Sequence, residues 1–235
     1  AWTAERAAAR LIALSAATDC GSLSAQVDGT VVELDGFVPS QADLLNEIAA
    51  LKLPPQIAVA TRNIQELPWP HCEVRLDYGR STLNRQHWAL QLSGTTESGY
   101  AAAGTALQIK LKTPSAKAYV YVFYLQAQRE ANVVPLYQPL FDRKGRALPS
   151  LFKGSLDLNQ PAPGIHRELV VTPPFGPEAV LMVAARKPLF DERLAPNDWN
   201  ERYLLTRLRL AMSGLKASGD ILATDYVLLT TGDVP

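Results

Sequence analysis

The segment that most constrains the fold is residues 118–125, which run Ala-Tyr-Val-Tyr-Val-Phe-Tyr-Leu. Aromatic and β-branched residues favour strands, and an apolar run without alternation is typical of a strand covered on both faces. We therefore predict that this segment is the central strand of a sheet. It is the longest apolar run in the chain, and it is far shorter than the roughly 20 residues that a membrane-spanning helix needs.

The rest of residues 73–235 predicts a β-rich, sandwich-like domain with one long packed helix. Residues 107–112 alternate Leu or Ile with Gln or Lys, which is the pattern of a strand with one buried and one solvent-exposed face. The helix is expected over residues 198–213, with Asn197 as its N-cap and Gly214 at its end. Further strands, separated by Pro and Gly clusters, are expected at residues 86–92, 133–136, 168–172, 179–185 and 226–230.

Residues 1–72 predict a smaller module with the element order α-β-β-α-β. The helices are expected at residues 3–17 and 41–51, and the strand residues at 30–34, 36–38 and 56–65. Ser40 precedes Asp43 by three positions, which resembles the capping box that starts a helix. The whole chain is therefore predicted to be α+β with two domains, 1–72 and 73–235.

The charge balance argues against two classes of partner. Lys plus Arg is 23 and Asp plus Glu is 23, so the formal net charge is zero. Nucleic acid and anionic membrane surfaces both attract basic faces, so neither is expected as the main partner. A local basic patch remains at Arg143 and Lys144. We predict that it is the solvated tip of a hairpin, and docking of an acidic partner is the alternative.

The two cysteines are predicted to form a disulfide. Cys20 follows the first helix and Cys72 lies in a Pro-rich segment, so the pair flanks one compact module. The absence of a CxxC pattern argues against a metal site. Two buried free thiols are an alternative, as is a nucleophile pair of Cys72 with His71. A disulfide would imply an oxidising compartment, which for a bacterial chain is the periplasm.

Recognised catalytic signatures are missing from the sequence. It has no GxSxG elbow, no phosphate-binding glycine loop and no histidines at metal-ligand spacing. We therefore expect no catalytic residues, no metal and no cofactor. The alternative is an enzyme of unrecognised type, which would need a pocket that brings His87, Asp77 and Glu178 together.

The first module resembles the BON domain, a small module of bacterial envelope proteins. The resemblance rests on residues 27–40, which run Val-Asp-Gly-Thr-Val-Val-Glu-Leu-Asp-Gly-Phe-Val-Pro-Ser and precede a helix and a closing strand. BON-like modules are regarded as binding or attachment units. The resemblance thus implies a non-enzymatic first module.

The second module resembles the bacterial DUF4384 domain. The motifs that carry the resemblance are Tyr119-Val120-Tyr121-Val122-Phe123-Tyr124, Val133-Val134-Pro135-Leu136, Thr172-Pro173-Pro174-Phe175-Gly176-Pro177-Glu178, Lys187-Pro188-Leu189-Phe190 and Tyr203-Leu204. That family has no assigned reaction and typically follows serine/threonine kinase or caspase-like domains.

Together the two resemblances imply a non-catalytic periplasmic sensor or interaction region of a membrane-anchored bacterial signalling protein. A serine/threonine kinase is one candidate, and the expected partner is an envelope protein or a cell-wall ligand. Because a helix begins directly after Ala1, we expect a piece of a longer inner-membrane protein whose anchor lies outside this sequence.

A carbohydrate- or peptidoglycan-binding module is the alternative among binding functions. Trp88, Tyr119, Tyr121 and Trp199 would then be exposed stacking surfaces, although packing in the core would also explain these rings. The turn that contains Phe175 and Glu178 could grip a ligand, and a structural turn is the alternative.

Overall fold

The computed structural model describes residues 2–17, 20–79, 87–126, 133–159, 169–194 and 200–233. The chain divides into two compact units, Ala1–Leu76 and Asp77–Pro235, called here the first and the second unit. Strands dominate the described residues and helices supplement them, so the predicted α+β class is confirmed. Within these ranges no helix is both long enough and apolar enough to cross a membrane.

The first unit is built on a three-stranded sheet. Its elements are helix α1 (Ala4–Ala17), strands β1 (Ser22–Asp28) and β2 (Val31–Val38), helix α2 (Gln41–Ala50), strand β3 (Ala58–Glu66) and helix α3 (His71–Gly79), which extends past Leu76. Strand β2 lies in the middle, antiparallel to β1 and parallel to β3. The core contains Leu11 of α1, Val32 and Leu34 of β2, Leu44 of α2 and Ile64 of β3.

The sequence predictions for this unit were right for the helices α1 and α2 and for β3. The side chain of Ser40 accepts a hydrogen bond from the Asp43 N–H at 3.2 Å, which confirms the predicted N-cap. Two assignments were wrong. Residues 30–34 and 36–38 belong to the single strand β2, and the strand paired with them is β1, which the prediction missed.

Helix α3 was also missed, because the Pro-rich segment that contains Cys72 was not expected to be helical. The helix begins directly after Pro70, whose carbonyl accepts the Val74 N–H at 3.1 Å. A proline fits at this position because the first N–H groups of a helix have no partner within it. Cys72 therefore lies in the first turn of a helix.

The second unit contains ten strands and one helix among its described residues. They are β4 (Ala89–Ser93), β5 (Tyr100–Ala102), β6 (Ala106–Leu125), β7 (Val134–Tyr137), β8 (Leu140–Phe141), β9 (Ala147–Leu148), β10 (Ser150–Asp157), β11 (Leu169–Val170), β12 (Pro177–Ala185), α4 (Glu201–Ala217) and β13 (Ile221–Gly232). Eight of the strands form one sheet, and β8 and β9 form a separate hairpin.

Strand β6 organises the sheet. Its first half pairs with β4 and β10, and its second half pairs with β12 and β7. The segment 118–125 is thus a central strand, as predicted, but it is continuous with residues 107–112, which were expected to form a separate strand. Pro114 is tolerated because the pairing with β4 ends at Lys112 and the pairing with β10 has a bulge beside Gly154.

The sheet is curled, whereas a two-sheet sandwich was expected. Strands β4 and β13 approach each other, and the buried carboxylate of Asp225 on β13 accepts the Leu90 N–H of β4 at 2.9 Å. One face of the sheet forms a core that includes Val122, Tyr124 and Met182. Because alternate residues of a strand point to opposite faces, the equally buried Phe123 lies on the other face.

Helix α4 contacts β13 and buries Leu204, Leu208 and Met212, so the predicted packed helix is present. Its boundaries differ from the prediction. The N-cap is Asn200, whose Oδ1 accepts the Tyr203 N–H at 2.9 Å, and the expected cap Asn197 lies outside the described residues. Gly214 lies within the helix, which ends at Ala217.

Candidate functional site

The predicted disulfide between Cys20 and Cys72 is present. Their Cα atoms lie 5.3 Å apart, and the bond ties the residues before β1 to the first turn of α3. Both cysteines are buried. The bond rules out the two alternatives, free thiols and a Cys72–His71 nucleophile pair. A buried structural disulfide is consistent with an oxidising environment.

His71, which adjoins Cys72, is buried without a hydrogen-bond partner for either ring nitrogen among the described residues. Burial lowers the pKa of His71 to about 4, and the Pro68 backbone opposes this shift in part. The imidazole is therefore neutral at pH 7. Among the described residues the ring has no partner for proton transfer.

Two of the predicted stacking aromatics lie in the core, so that prediction was wrong for them. Trp88 is buried edge-on against Phe152, with ring centroids 5.6 Å apart. Tyr121 is fully buried, and its hydroxyl accepts the Leu189 N–H at 3.1 Å. Burial raises the pKa of Tyr121 to about 12. Because both rings are buried in the core, neither is available to a sugar.

The other aromatic candidates have different outcomes. Tyr119 and Phe175 are half-buried, and Phe175 packs against the sheet core, which agrees with the structural alternative for its turn. Trp199 lies outside the described residues.

The pocket that would unite His87, Asp77 and Glu178 is not formed. Asp77 accepts two hydrogen bonds from the Arg209 guanidinium, at 2.8 and 3.0 Å. His87 is exposed, and neither His87 nor Asp77 lines the cavity that contains Glu178. Across the described ranges, no three side chains of His, Cys, Asp or Glu are grouped so that they could hold a metal ion.

Glu178 instead forms a buried pair with Tyr124. The Tyr124 hydroxyl donates to Glu178 Oε2, and both side chains are more than nine-tenths buried. Burial raises the pKa of Tyr124 well above its usual range, and the negative charge of Glu178 raises it further. The phenol therefore keeps its proton and remains a donor to the carboxylate. The pair lines a cavity of about 150 Å³.

A second buried carboxylate, Glu201, occupies the first position of α4. Neither of its oxygens has a hydrogen-bond partner among the described residues. Burial raises the pKa of Glu201 to about 8, and the Gln126 backbone opposes this shift in part. The carboxyl group is thus mostly protonated at neutral pH. The sequence pattern of the helix did not predict the burial of Glu201, because a Glu in the first turn of a helix is normally exposed.

The predicted basic hairpin tip is present and is exposed. Arg143 and Lys144 lie in the turn between β8 and β9, and no described carboxylate forms an ion pair with either. Asp142 organises the turn, because its carboxylate accepts the backbone N–H groups of Lys144 and Arg146 and the Arg146 side chain at 2.8–2.9 Å. These hydrogen bonds, above all that of the Arg146 backbone, lower the pKa of Asp142.

Exposed leucines accompany this turn, and no motif in the sequence marks them as exposed. Leu140 and Leu148 face each other across the hairpin and are 62% and 44% exposed. Leu151, at the start of β10, is 65% exposed. We call Leu140, Leu148, Leu151, Arg143 and Lys144 the hairpin patch.

The base of the hairpin is fixed to the rest of the second unit. Gln138 forms a pair of hydrogen bonds with the backbone of Leu194, at 2.8 and 2.9 Å. The Tyr137 hydroxyl donates to the Ser150 hydroxyl at 3.2 Å, across the two ends of the hairpin. The patch is therefore held on an ordered support.

Comparisons with protein-family models, with curated proteins and with solved structures found no match for this chain. The resemblances to the BON and DUF4384 domains stay predictions that rest on the motifs quoted above.

Proposed function

We propose that this chain is the non-catalytic, extracytoplasmic interaction region of a membrane-anchored bacterial signalling protein, and that the hairpin patch docks an acidic protein partner. The buried Cys20–Cys72 disulfide supports the extracytoplasmic setting. The motif resemblances support a role beside a signalling domain such as a serine/threonine kinase. The observation that carries the proposal is the combination, on one ordered hairpin, of exposed leucines and basic side chains for which the described residues provide no ion pair.

The exposed leucines of the hairpin patch would be stabilised by burial against a partner. Leu140 and Leu148 form an exposed pair across the two strands, and Leu151 is exposed nearby in sequence. Contiguous exposed apolar surface marks interaction sites, whereas single exposed apolar side chains are common. Burying a leucine side chain stabilises a complex by about 1.5–3 kcal/mol. The Asp142 hydrogen bonds order the turn before binding, so less conformational entropy is lost on docking.

The charges select the partner. Arg143 and Lys144 carry two positive charges without described ion pairs, so an acidic face complements them and steers association. A hairpin that enters a membrane interface needs apolar residues at its tip and basic residues behind them. Here the order is reversed, because the basic residues form the turn and Leu140 and Leu148 lie on the strands. A protein surface is therefore favoured over lipid.

The proposal is tested by photo-crosslinking in the bacterium that makes the full-length protein. A photoreactive amino acid at position 148 is expected to give an adduct with a protein that carries an acidic surface. The same residue at position 27, where Val27 is also partly exposed in the first unit, serves as the control position.

Charge reversal at Arg143 and Lys144 shows whether the crosslinked adduct depends on the basic residues of the hairpin patch. The double variant Arg143→Glu, Lys144→Glu is expected to abolish the adduct at position 148. The matched control, Lys110→Glu with Lys112→Glu, changes the net charge equally on the exposed side of β6 and is expected to leave the adduct intact. No adduct at position 148, or one that survives reversal of Arg143 and Lys144, would contradict the proposal.

A further inference from the structure

Four lysines lie on two neighbouring strands of the large sheet. Lys110, Lys112 and Lys117 belong to β6, and Lys153 belongs to β10. All four residues are exposed. No described carboxylate forms an ion pair with any of them.

The three lysines of β6 share one face of the sheet. In the first half of β6 the core residues have odd numbers, as Leu111 does, and in the second half they have even numbers, as Ala118 does. The register shift in the pairing of β6 with β10 lies between these two positions. Because alternate residues of a strand point to opposite faces, Lys110 and Lys112 before the shift and Lys117 after it lie on the face opposite the core.

Lys153 completes the row. The residue before it in β10 belongs to the core, so Lys153 also points away from the core. The ladder pairs Leu151 with Lys117 and Ser155 with Lys112, so Lys153 lies between these two lysines. We call the four lysines the lysine row. At about 3.4 Å per residue, the row extends over about 24 Å of the sheet.

The neighbours of the lysine row are mainly uncharged side chains that form hydrogen bonds. Gln91 of β4 and Asp157 of β10 flank Lys110, and Ser155 lies beside Lys112. Asp157 is the one carboxylate that the described ladders place opposite a lysine of the row. Four lysines and one aspartate leave three positive charges in excess on this face.

A row of exposed cations on a sheet face fits an extended anion better than a small one. Small ligands bind in concave pockets that enclose them, and the exposed lysines of the row do not enclose a ligand. A chain with repeated anionic groups contacts several lysines at once and gains from the release of counterions.

The uncharged neighbours favour a polysaccharide over a nucleic acid. The amide of Gln91 and the hydroxyl of Ser155 both donate and accept hydrogen bonds, as sugar hydroxyl groups do. Single-stranded nucleic acids are bound by aromatic side chains that stack on the bases. The residues paired with Lys110 and Lys112 include no aromatic side chain.

We infer that the lysine row binds an acidic polysaccharide, with the anionic groups of the polymer on the four ammonium groups and its hydroxyl groups on the neighbouring polar side chains. The inference does not rest on the proposed function of the hairpin patch. The row borders that patch, because Lys117 pairs with Leu151, but it does not include Arg143 or Lys144.

The test is an NMR titration of the full chain with an oligogalacturonate, a linear sugar chain that carries a carboxylate on each unit. Saturable shifts are expected for backbone amides beside the row, such as those of Gln91 and Ser155. The fully methyl-esterified oligomer has the same sugar backbone without the charges. It is expected to bind at least tenfold more weakly, because it releases no counterions.

Two double variants remove charges from the two ends of the row. They are Lys110→Gln with Lys112→Gln, and Lys117→Gln with Lys153→Gln. Each is expected to weaken oligogalacturonate binding about tenfold at physiological salt and to reduce the slope of log affinity against log salt concentration to roughly half, because two of the four lysines are lost. All four positions are exposed, so unchanged shifts of the core amides are expected to show that both variants fold.

The matched control is Arg143→Gln with Lys144→Gln, which removes the same charge from the hairpin patch. It is expected to change the affinity less than about twofold, because salt screens charges that do not contact the ligand. Loss of partner docking at the hairpin patch would leave this result unchanged, so the two proposals fail separately.

A single-stranded thymidine oligonucleotide of similar length and charge distinguishes the two kinds of polymer, and it is expected to bind more weakly than the oligogalacturonate. Tighter binding of the oligonucleotide would overturn the inference in favour of a nucleic acid. The inference is also overturned if the amides beside the row do not shift, if the methyl ester binds equally well, or if the lysine variants bind like the wild type.

Discussion

Removing the Cys20–Cys72 disulfide should destabilise the first unit selectively. The bond closes a loop of 52 residues, and the chain-entropy relation gives about 4 kcal/mol for a loop of that length. A unit of this size buries a modest fraction of its surface, so its total stability is of the same order as this contribution. Without the bond, the first unit should be close to unfolding at room temperature.

Hydrogen exchange resolves the two units within one chain. We expect amides of β2 in the double variant Cys20→Ala, Cys72→Ala to exchange about a thousandfold faster than in the wild type, which corresponds to about 4 kcal/mol. Amides of β12 should be unchanged, because that strand belongs to the second unit. Reduction of the wild type keeps both sulfur atoms and should reproduce the effect, whereas reductant should not alter the double variant.

The reasoning would be refuted if the exchange rates of the β2 amides rose less than tenfold in the double variant. Other contacts would then already constrain the loop in the unfolded chain, and the disulfide would add little. It would also be refuted if β12 lost as much protection as β2, because the disulfide would then stabilise the whole chain and not the first unit alone.

Three further predictions concern buried ionisable groups and one glycine. Glu201→Gln should stabilise the second unit by on the order of 4 kcal/mol at pH 8 and not at pH 4. The unfolded carboxyl group ionises near pH 4.5 and the folded one near pH 8, so the stability of the wild type falls as the pH rises between these values. Equal urea midpoints of the variant and the wild type at both pH values would contradict this prediction. His71→Asn should remove the loss of first-unit stability that occurs as the pH falls from 6.5 to about 4, because in that range only the unfolded imidazole binds a proton. The measurement is the protection factor of first-unit amides, which is corrected for the intrinsic pH dependence of exchange. Protection factors that fall with pH in the variant as they do in the wild type would disprove the prediction. Gly36→Ala should lower the free energy of unfolding by about 2 kcal/mol or more, because φ of Gly36 is 137° and the new Cβ would collide with the Ser22 carbonyl. Gly29→Ala, where the new Cβ meets open space, should lower it by about 1 kcal/mol. Similar losses for the two variants in thermal unfolding would be inconsistent with the steric argument.

The sequence predicted those parts of the fold that depend on the residues of a single segment. The uninterrupted apolar run around Val122 requires cover on both faces, and the structure provides it. The continuity of β6 through Pro114 was not predictable, because it depends on where the neighbouring ladders break. Strand β1 is short of apolar residues, with the sequence Ser-Leu-Ser-Ala-Gln-Val-Asp, and its strand conformation comes from pairing with β2.

The candidate site was less predictable, because it depends on register. The alternation of side chains along a strand places Tyr121 and Tyr124 on opposite faces of β6, but it does not show which face is exposed to solvent. In the structure both tyrosines are buried. Tyr124 meets Glu178 because Tyr124 pairs with Val180, which places Glu178 on the same face two residues away. The exposure of Leu140 and Leu148 likewise follows from the position of a hairpin outside the main sheet.

The most direct test of the hairpin proposal is a charge exchange between this chain and the partner crosslinked at position 148. The affinity of the purified partner is measured against the wild type and against the Arg143→Glu, Lys144→Glu variant. We predict at least tenfold weaker binding to the variant, and recovery when the partner's contacting acidic residues are changed to lysine. Equal affinity of the partner for both chains, or no recovery after the exchange, would contradict docking through the hairpin patch.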